Sequence, residues 1–380
     1  MVVFRWTAAH RPFDAVIKRL THSSVYLSRL PDHECKQLLQ NALGDIQLIV
    51  SEIKHSLCSS FPAFQDLLRY QFESQGKLVR PLLVTLAAAC ANSHKECKAS
   101  FVVRHKSFAT SHSRNLAHLV SPEQHEIAKI TEMIHTASLI HDDLIDSASV
   151  RRGKTSAYRA FGHREAVLGG DFILAHSSRL LAQIGNTGVI AVLSQVIEDL
   201  IRGEMMQLAP NSDDDDKRFQ AYLTKTYRKT ASLIANSCKA VAMLTVPTLS
   251  QHRIDNMYEF GKHLGMAFQL IDDVLDFVTD EANLGKPNRA DLQMGLATGP
   301  VLFAAQRYPE LNTILLRQFS LDGDAERALE LVQQSDGVGQ TRMLAEFHFQ
   351  AAQRCLFQFR DSLSRKALLH IAANFLQRDR

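Results

Sequence analysis

The dominant pattern along the chain is the recurrence of apolar residues at intervals of three and four. The first such run begins after Pro31 and occupies Leu38, Leu39, Leu43, Ile46, Ile49, Val50 and Ile53. This spacing is that of one face of an α-helix. Two later segments, 82–90 and 127–145, are apolar on most sides, which is typical of helices buried at the centre of a bundle.

Helical spacing continues through the second half of the chain. It predicts helices over 167–182, 190–206, 221–244 and 254–277. Pro247 and Pro287 interrupt this pattern, and no region shows the alternation that a set of strands requires. The pattern therefore predicts an all-α protein built as one large bundle of long helices.

Composition agrees with the all-helical prediction. The 380 residues include only 17 glycines and 10 prolines, so the chain is poor in helix-breaking residues. A hydrophobic fraction of 46% is too high for a disordered chain, and the length suffices for one large domain or two ordinary ones. The net charge of +3 offers no electrostatic argument for a nucleic-acid partner.

The first 30 residues differ in character from the rest. Segment 1–30 carries four arginines and one lysine but a single acid, Asp14, as is typical of a mitochondrial transit peptide. An ordinary basic N-terminal helix is the alternative. The remainder, 31–380, is interpreted as one domain. Within it, 92–124 is rich in Ser, His, Lys and Arg and is predicted to be a long loop or insertion. The acidic stretch 210–217 is predicted to be a second, solvated loop.

The sharpest chemical signal is the acidic motif at the end of an apolar helical segment. In His-Asp-Asp-Leu-Ile-Asp, Asp142 and Asp146 are four residues apart and share one helix face. Like charges at that spacing repel, so the pair gives the helix no stability of its own. A divalent cation would resolve the repulsion, and oxygen-only ligands suit Mg²⁺. A solvated helix end is the plainer interpretation.

The same spacing recurs 130 residues later, which weakens the plainer interpretation. Asp272, Asp273 and Asp276 again follow an apolar helical segment. Two such motifs can face each other across a helical bundle and form a cage for several Mg²⁺ ions. An acidic metal cage with apolar surroundings suits a diphosphate that carries a hydrophobic tail.

Basic residues are expected around a diphosphate, and several flank the two motifs. They are Lys77 and Arg80 in Gly-Lys-Leu-Val-Arg-Pro, Arg151 and Arg152 after the first motif, Lys229 beside Thr230, and Lys286 after the second motif. Arginine can form bidentate hydrogen bonds with phosphate oxygens. His135 lies two helical turns before Asp142 and is a candidate donor. Each alone is more often a surface charge or a core histidine.

Together these motifs resemble the trans-isoprenyl diphosphate synthase family, in its long-chain polyprenyl type. The resemblance covers about 75–300 and includes GKLVRP, IHTASLIHDDLID, RRGK, GGD, KTA, FQLIDDVLD and GKPNRADLQMGLATGP. Within the family, the sequence is similar to the mitochondrial decaprenyl and solanesyl diphosphate synthases, which make the ubiquinone side chain. One departure is Gln75, which stands where the family usually has glycine.

The resemblance implies a fold, a cofactor and a role for each candidate residue. The helices would surround a central cavity, as in the isoprenoid synthase fold, and about three Mg²⁺ would bind in it. The metal site would comprise Asp142, Asp143, Asp146, Asp272, Asp273 and Asp276. The allylic diphosphate, farnesyl or geranylgeranyl, would be held by Arg151, Lys229 and Lys286, with Thr230 and Gln269 beside it. Isopentenyl diphosphate would be bound by Lys77, Arg80, His135 and Arg152.

The resemblance also implies the product and the assembly. Ile134, Ala137 and Ser138 precede Asp142 on the same helix, and short-chain relatives carry bulky aromatic residues at the position of Ala137 or Ser138. Small side chains leave a tunnel open, so a long polyprenyl product is expected. A shorter, geranylgeranyl-type product and a non-catalytic scaffold subunit are the alternatives. The expected assembly is a homodimer or a heterotetramer with a homologous second subunit, with peripheral membrane contact and a mitochondrial location.

Overall fold

The computed structural model describes residues 32–57, 62–73, 78–94, 118–151, 153–208, 212–278, 292 and 294–376. Segment 1–30, the predicted transit peptide, lies outside the described residues, as does 95–117, the larger part of the predicted insertion. No helix among the described residues is long and apolar enough to cross a membrane. The all-α prediction is confirmed.

The helices follow one another along the chain, and the two longest intervals between described helices are 94–121 and 279–298. In the first half of the chain they are α1 (Asp32–Ser56), α2 (Pro62–Glu73), α3 (Val79–Ser93), α4 (Pro122–Ile145), α5 (Ala157–Phe161), α6 (His163–Ile184) and α7 (Thr187–Leu208). In the second half they are α8 (Asp215–Thr226), α9 (Ser232–Met243), α10 (Gln251–Val278), α11 (Gly299–Arg307), α12 (Glu310–Leu316), α13 (Asp324–Gln334), α14 (Gly337–Leu356) and α15 (Leu363–Leu376).

Helices α3, α4, α9 and α10 form the centre of the bundle. Every residue from Pro81 to Ala91 on α3 is buried, as the apolar pattern over 82–90 predicts. The start of α4 is fixed by a capping box between Ser121 and Gln124. The buried Gln124 amide also donates to the Val241 carbonyl oxygen on α9 at 2.8 Å, so the capped end of α4 is tied to its neighbour.

The predicted helix over 221–244 is in fact three segments. Helix α8 passes directly into a π-helical turn, Tyr227–Ala231, and the chain then continues as α9. Helix α10 packs closely against this turn and against the start of α9 because it has Gly265 and Gly261 on the facing side. A Cβ atom at Gly265 would lie 2.6 Å from the Ala231 Cα, and one at Gly261 2.8 Å from the Ala235 Cα. Gly265 therefore lets α10 approach the π turn at backbone distance, and Gly261 does the same for α9.

Two further expectations need correction. The loop predicted over 210–217 is wrong in its second half, because α8 already begins at Asp215. The Asp214 side chain caps this helix by accepting from the Lys217 amide at 3.0 Å, and acids in a first turn complement the helix dipole. In addition, a two-stranded antiparallel hairpin, β1 (Val150–Arg151) and β2 (Lys154–Thr155), follows α4.

Candidate active site

The first acidic motif lies at the C-terminal end of α4. Asp142 is half-buried and Asp146 is the C-cap residue, where the helix dipole disfavours negative charge. The pKa of the Asp142 carboxyl is raised to about 6, mainly by burial and also by the charges of Glu204 and Asp146, whereas Lys229 and Arg151 oppose the shift. The pKa of Asp146 is raised by burial as well. This pair of carboxylates is therefore poised to gain from a bound cation.

The middle residue of the first motif is used differently. Asp143 is only 3% exposed, and its Oδ1 accepts from the Arg151 Nε at 2.6 Å. Arg151 stands on β1, so the hairpin after α4 returns the guanidinium to the motif. Asp143 thereby orients Arg151, and its carboxylate is committed to that ion pair.

Lys229 reaches the first motif from the π turn. Its Nζ contacts Glu204 at 2.5 Å and donates to the Gln207 Oε1 at 2.9 Å, and its charge lowers the pKa of both Asp142 and Asp146. Glu204 and Gln207 on α7 were not among the residues predicted from sequence. Their spacing of three residues on one helix face was the only available signal.

The second acidic motif lies near the C-terminal end of α10. Asp272 is exposed and Asp276 is half-buried, whereas Asp273 is only 3% exposed. The Asp273 carboxylate accepts from the Tyr222 hydroxyl at 2.5 Å and from the Gln269 amide at 2.9 Å. Burial raises the pKa of Asp273, and the Asp272 charge adds to this, although both hydrogen bonds oppose it. Like Asp143, Asp273 is committed to protein partners.

The π turn connects the two motifs. Lys229 faces the first motif, and the next residue, Thr230, donates to the Gln269 Oε1 at 2.8 Å, beside Asp273. Single π turns inside α-helices are frequent at functional sites. Here the turn directs two adjacent side chains to different helices. The charge of Lys229 acts on the carboxylates of α4, and Thr230 bonds to Gln269 beside Asp273 on α10.

A third cluster contains two residues predicted to bind isopentenyl diphosphate. Arg80 on α3 and His135 on α4 are 55 positions apart in sequence, and the Arg80 Nη1 lies 2.8 Å from the His135 Nε2. Leu78, just before α3, has a left-handed backbone with φ 47°, which a non-glycine residue adopts only where its surroundings enforce it. Three other predicted diphosphate ligands, Lys77, Arg152 and Lys286, lie outside the described residues.

The residues predicted to set product length lie on α4, N-terminal to the first motif. Ile134 and Ala137 are fully buried, and the Ser138 hydroxyl donates to the His135 carbonyl oxygen at 2.9 Å. Ala137 precedes Asp142 by five residues, or roughly 7.5 Å of helical rise. These side chains therefore lie inside the bundle and beyond the carboxylates.

Gly170, in the Gly-Gly-Asp sequence quoted above, has a steric role. A Cβ atom at this position would lie 2.1 Å from the His141 Nε2. The His141 imidazole, which precedes the first motif, also lies 3.7 Å from the Asp171 carboxylate on α6. The glycine thus admits the imidazole against α6 and fixes the end of α4.

The donor set fits Mg²⁺ in its usual mode of binding. Among the described residues, no three His, Cys, Asp or Glu side chains converge into a ready metal cage. Mg²⁺ is commonly held by one or two carboxylates together with substrate phosphates, and Asp142 with Asp146 offers such a pair. Lys229 and Arg151, whose charges act on the Asp142 carboxyl, carry N–H groups of the kind that donate hydrogen bonds to phosphate oxygens. The site therefore suits a metal that arrives with a phosphorylated ligand.

Comparisons with known proteins agree with this interpretation of the site. The family described as polyprenyl synthetase matches residues 61–332. The chain is 46% identical to the All trans-polyprenyl-diphosphate synthase PDSS1 of Homo sapiens over 336 residues, 88% of this chain and 76% of the relative. It is 38% identical to a probable mitochondrial hexaprenyl pyrophosphate synthase of Neurospora crassa over 368 residues, 90% of this chain and 82% of the relative.

A solved structure is similar over most of its length. It is the polyprenyl synthase from Caulobacter crescentus CB15 complexed with calcium and isoprenyl diphosphate. Its TM-score to this chain is 0.75 at 27% sequence identity, and the match covers 91% of this chain and 98% of that one. That protein therefore binds a divalent cation and an isoprenyl diphosphate on the same fold.

Proposed function

The chain belongs to the polyprenyl synthetase family, and from this premise we propose that it is a long-chain all-trans polyprenyl diphosphate synthase. The reaction is an Mg²⁺-dependent 1'-4 condensation of isopentenyl diphosphate onto an allylic diphosphate, farnesyl or geranylgeranyl. Repeated cycles lengthen the chain by one isoprene unit each. The product supplies the side chain of ubiquinone.

One observation carries the proposal. Lys229 and Thr230 are adjacent on the π turn, yet Lys229 acts on Asp142 and Asp146 while Thr230 bonds to Gln269 beside the second motif. One short segment thus carries a positive charge that acts on the carboxylates of α4 and a hydroxyl that is bonded beside those of α10. Such an arrangement suits one diphosphate bound through metal ions on one side and a basic side chain on the other.

The carboxylates proposed to hold Mg²⁺ are Asp142, Asp146 and Asp272, with Asp276 in a supporting role. When bound, Mg²⁺ supplies positive charge that stabilises the departing diphosphate. Lys229 and Arg151 donate to oxygens of the same diphosphate, where negative charge develops as the allylic C–O bond breaks. Stabilisation of developing charge by fixed groups is usually the largest catalytic contribution. Lys286, after the second motif, is proposed to share this role.

Arg80 and His135 hold the diphosphate of the second substrate, together with Lys77 and Arg152. Binding there places the terminal double bond of isopentenyl diphosphate beside the allylic cation, and such positioning lowers the barrier substantially. The double bond forms the new C–C bond, and loss of one proton restores a trans double bond. The departing diphosphate accepts that proton, so no side-chain base is required.

The small side chains at Ala137 and Ser138 support a long product. They lie behind Asp142 on α4, where a growing hydrophobic tail would extend between helices. Bulky residues there would favour a shorter, geranylgeranyl-type product. Ile134 lies one turn further along the same helix and is proposed to line the tunnel as well.

We further propose a mitochondrial location, on the strength of the mitochondrial relative and the basic segment 1–30. The assembly is proposed to be a homodimer or a heterotetramer with a homologous second subunit. Intact aspartates at positions 142, 146 and 272 favour the catalytic role over that of a scaffold subunit. Contact with the membrane would be peripheral, through the hydrophobic product.

The test is direct. The purified full chain is incubated with farnesyl diphosphate, labelled isopentenyl diphosphate and Mg²⁺, alone and with a homologous partner subunit, and the extracted chains are separated by length. Long polyprenyl products that disappear on chelation are expected. Products of geranylgeranyl length would shift the assignment to a short-chain synthase. Absence of any elongated product in both arms would refute the proposal.

A further inference from the structure

Lys229 is held by two side chains of α7 that the proposed reaction does not use. Its Nζ lies 2.5 Å from Glu204 and 2.9 Å from Gln207. The side chains of Lys229 and Glu204 are only 21% and 14% exposed, so solvent screens this ion pair less than it would a surface pair. The pair is therefore a defined element of the site.

The close approach of α7 to the π turn is built into the sequence. Gly203 precedes Glu204, and a Cβ atom there would lie 2.7 Å from the Lys229 Cγ and 3.3 Å from the Lys229 backbone nitrogen. Any larger residue would push the lysine away from α7. Gly203 thus brings the Glu204 carboxylate within reach of the ammonium group.

Lys229 stands among three carboxylates. Its charge lowers the pKa of Asp142 and Asp146, and the charge of Glu204 raises the pKa of both. A lysine side chain has enough rotatable bonds to choose among partners. A lysine paired with Asp142 or Asp146 would occupy the oxygens that a divalent cation needs.

We infer that Glu204 is a positioning residue that retains the Lys229 ammonium and keeps it from neutralising Asp142 and Asp146. This inference rests on the proposed function, because it assumes that the two aspartates bind a divalent cation. Gln207 supports the same position through its hydrogen bond. Lys229 then stays beside the cation site, ready for a phosphate oxygen, and does not compete with the metal.

A metal-binding measurement on the full-length protein tests the inference without turnover. Mn²⁺ alone is titrated, and free Mn²⁺ is read from its electron paramagnetic resonance signal. Glu204→Ala is expected to weaken Mn²⁺ binding about fivefold, the effect of one competing ion pair. The double variant Glu204→Ala/Lys229→Ala is expected to restore binding to within about twofold of the native protein, since the competitor is gone.

Two results would overturn the inference. Unchanged Mn²⁺ binding in Glu204→Ala would show that Glu204 does not restrain the lysine. A double variant as weak as the single one would show that Glu204 contributes directly to the metal site. If circular dichroism shows that Glu204→Ala does not fold, Glu204→Gln replaces it in both comparisons, with an expected weakening of about twofold and the same two contrary results.

The controls separate this inference from the proposed function. Glu198 forms an exposed pair with Arg202 on the same helix, so Glu198→Ala should leave Mn²⁺ binding unchanged. Asp142→Asn should weaken it strongly. Failure of Asp142→Asn to do so would count against the proposed metal site itself, whereas the Glu204 comparisons bear only on the lysine.

Discussion

The contact between Gly265 on α10 and Ala231 on the π turn yields a quantitative prediction. In Gly265→Ala, the new Cβ atom would lie 2.6 Å from the Ala231 Cα and 2.8 Å from its Cβ. Neither neighbour is the end of a flexible side chain, so the backbones of α10 and the turn must separate. Thr230, the residue before Ala231, would then move relative to Gln269.

The size of the effect follows from two opposing contributions. Overpacking of this kind costs about 1–3 kcal/mol, and the better helix propensity of alanine returns about 0.5–1 kcal/mol. We expect a net loss of roughly 1–2 kcal/mol, which for a domain of this size lowers the thermal midpoint by about 1–3 °C. Because the Thr230–Gln269 contact also shifts, kcat should fall about tenfold or more. Calorimetry and the elongation assay measure the two effects.

Gly44 on α1 provides the matched control. It is exposed, and a Cβ atom there would have no neighbour within 4 Å. Gly44→Ala should therefore gain about 0.5–1 kcal/mol of stability from helix propensity alone, with unchanged kcat. If Gly265→Ala were as stable and as active as Gly44→Ala, the close approach of α10 to the π turn would not be needed for the site.

Three further changes have defined outcomes. Ala137→Phe should shorten the product to about farnesyl or geranylgeranyl length, and an unchanged long product on chromatography would refute the tunnel assignment. Tyr222→Phe removes a hydrogen bond to buried Asp273 and should cost about 1.5–3 kcal/mol at neutral pH. Because that bond favours the ionised form, the cost should shrink as Asp273 is protonated below its raised folded-state pKa; denaturation curves that show a pH-independent cost would contradict this. Arg151→Lys loses the Nε contact to Asp143 and should lower kcat/KM for the allylic substrate about tenfold, whereas near-native kinetics would exclude the proposed role.

Much of the scaffold could be predicted because burial imposes helical periodicity. The apolar pattern over 167–182 identified the helix that runs from His163 to Ile184, and the run over 82–90 identified the buried face of α3. The ends of the helices do not follow from the apolar pattern alone. At α8, the run of aspartates reads as a solvated loop by composition, yet Asp214 is a helix cap and the next residue begins the helix.

The two acidic motifs could also be found, because carboxylates that repel each other on one helix face need a cation. Helix geometry also accounts for the different partners of adjacent residues within each motif. Neighbouring residues on a helix point about 100° apart, so Asp143 could not share the face of Asp142, nor Asp273 that of Asp272. Accordingly, Asp143 accepts a hydrogen bond from Arg151, and Asp273 accepts one from Tyr222.

The π turn and its partners lay beyond the sequence signal. The apolar pattern over 221–244 is continuous, and nothing in it marks five residues with wider hydrogen bonding. Glu204 and Gln207 belong to a helix predicted only from its buried face. Their contact with Lys229 depends on how α7 packs against the turn, which is a tertiary property set by Gly203.

The central claim is that the carboxylates of the first motif carry an Mg²⁺-dependent prenyl transfer. The most direct test is the rate of labelled isopentenyl incorporation by Asp142→Asn, measured beside Glu198→Gln on the exposed face of α7. Asp142→Asn should lose about a thousandfold in rate, while Glu198→Gln should match the native protein. Incorporation by Asp142→Asn at the native rate would contradict the account.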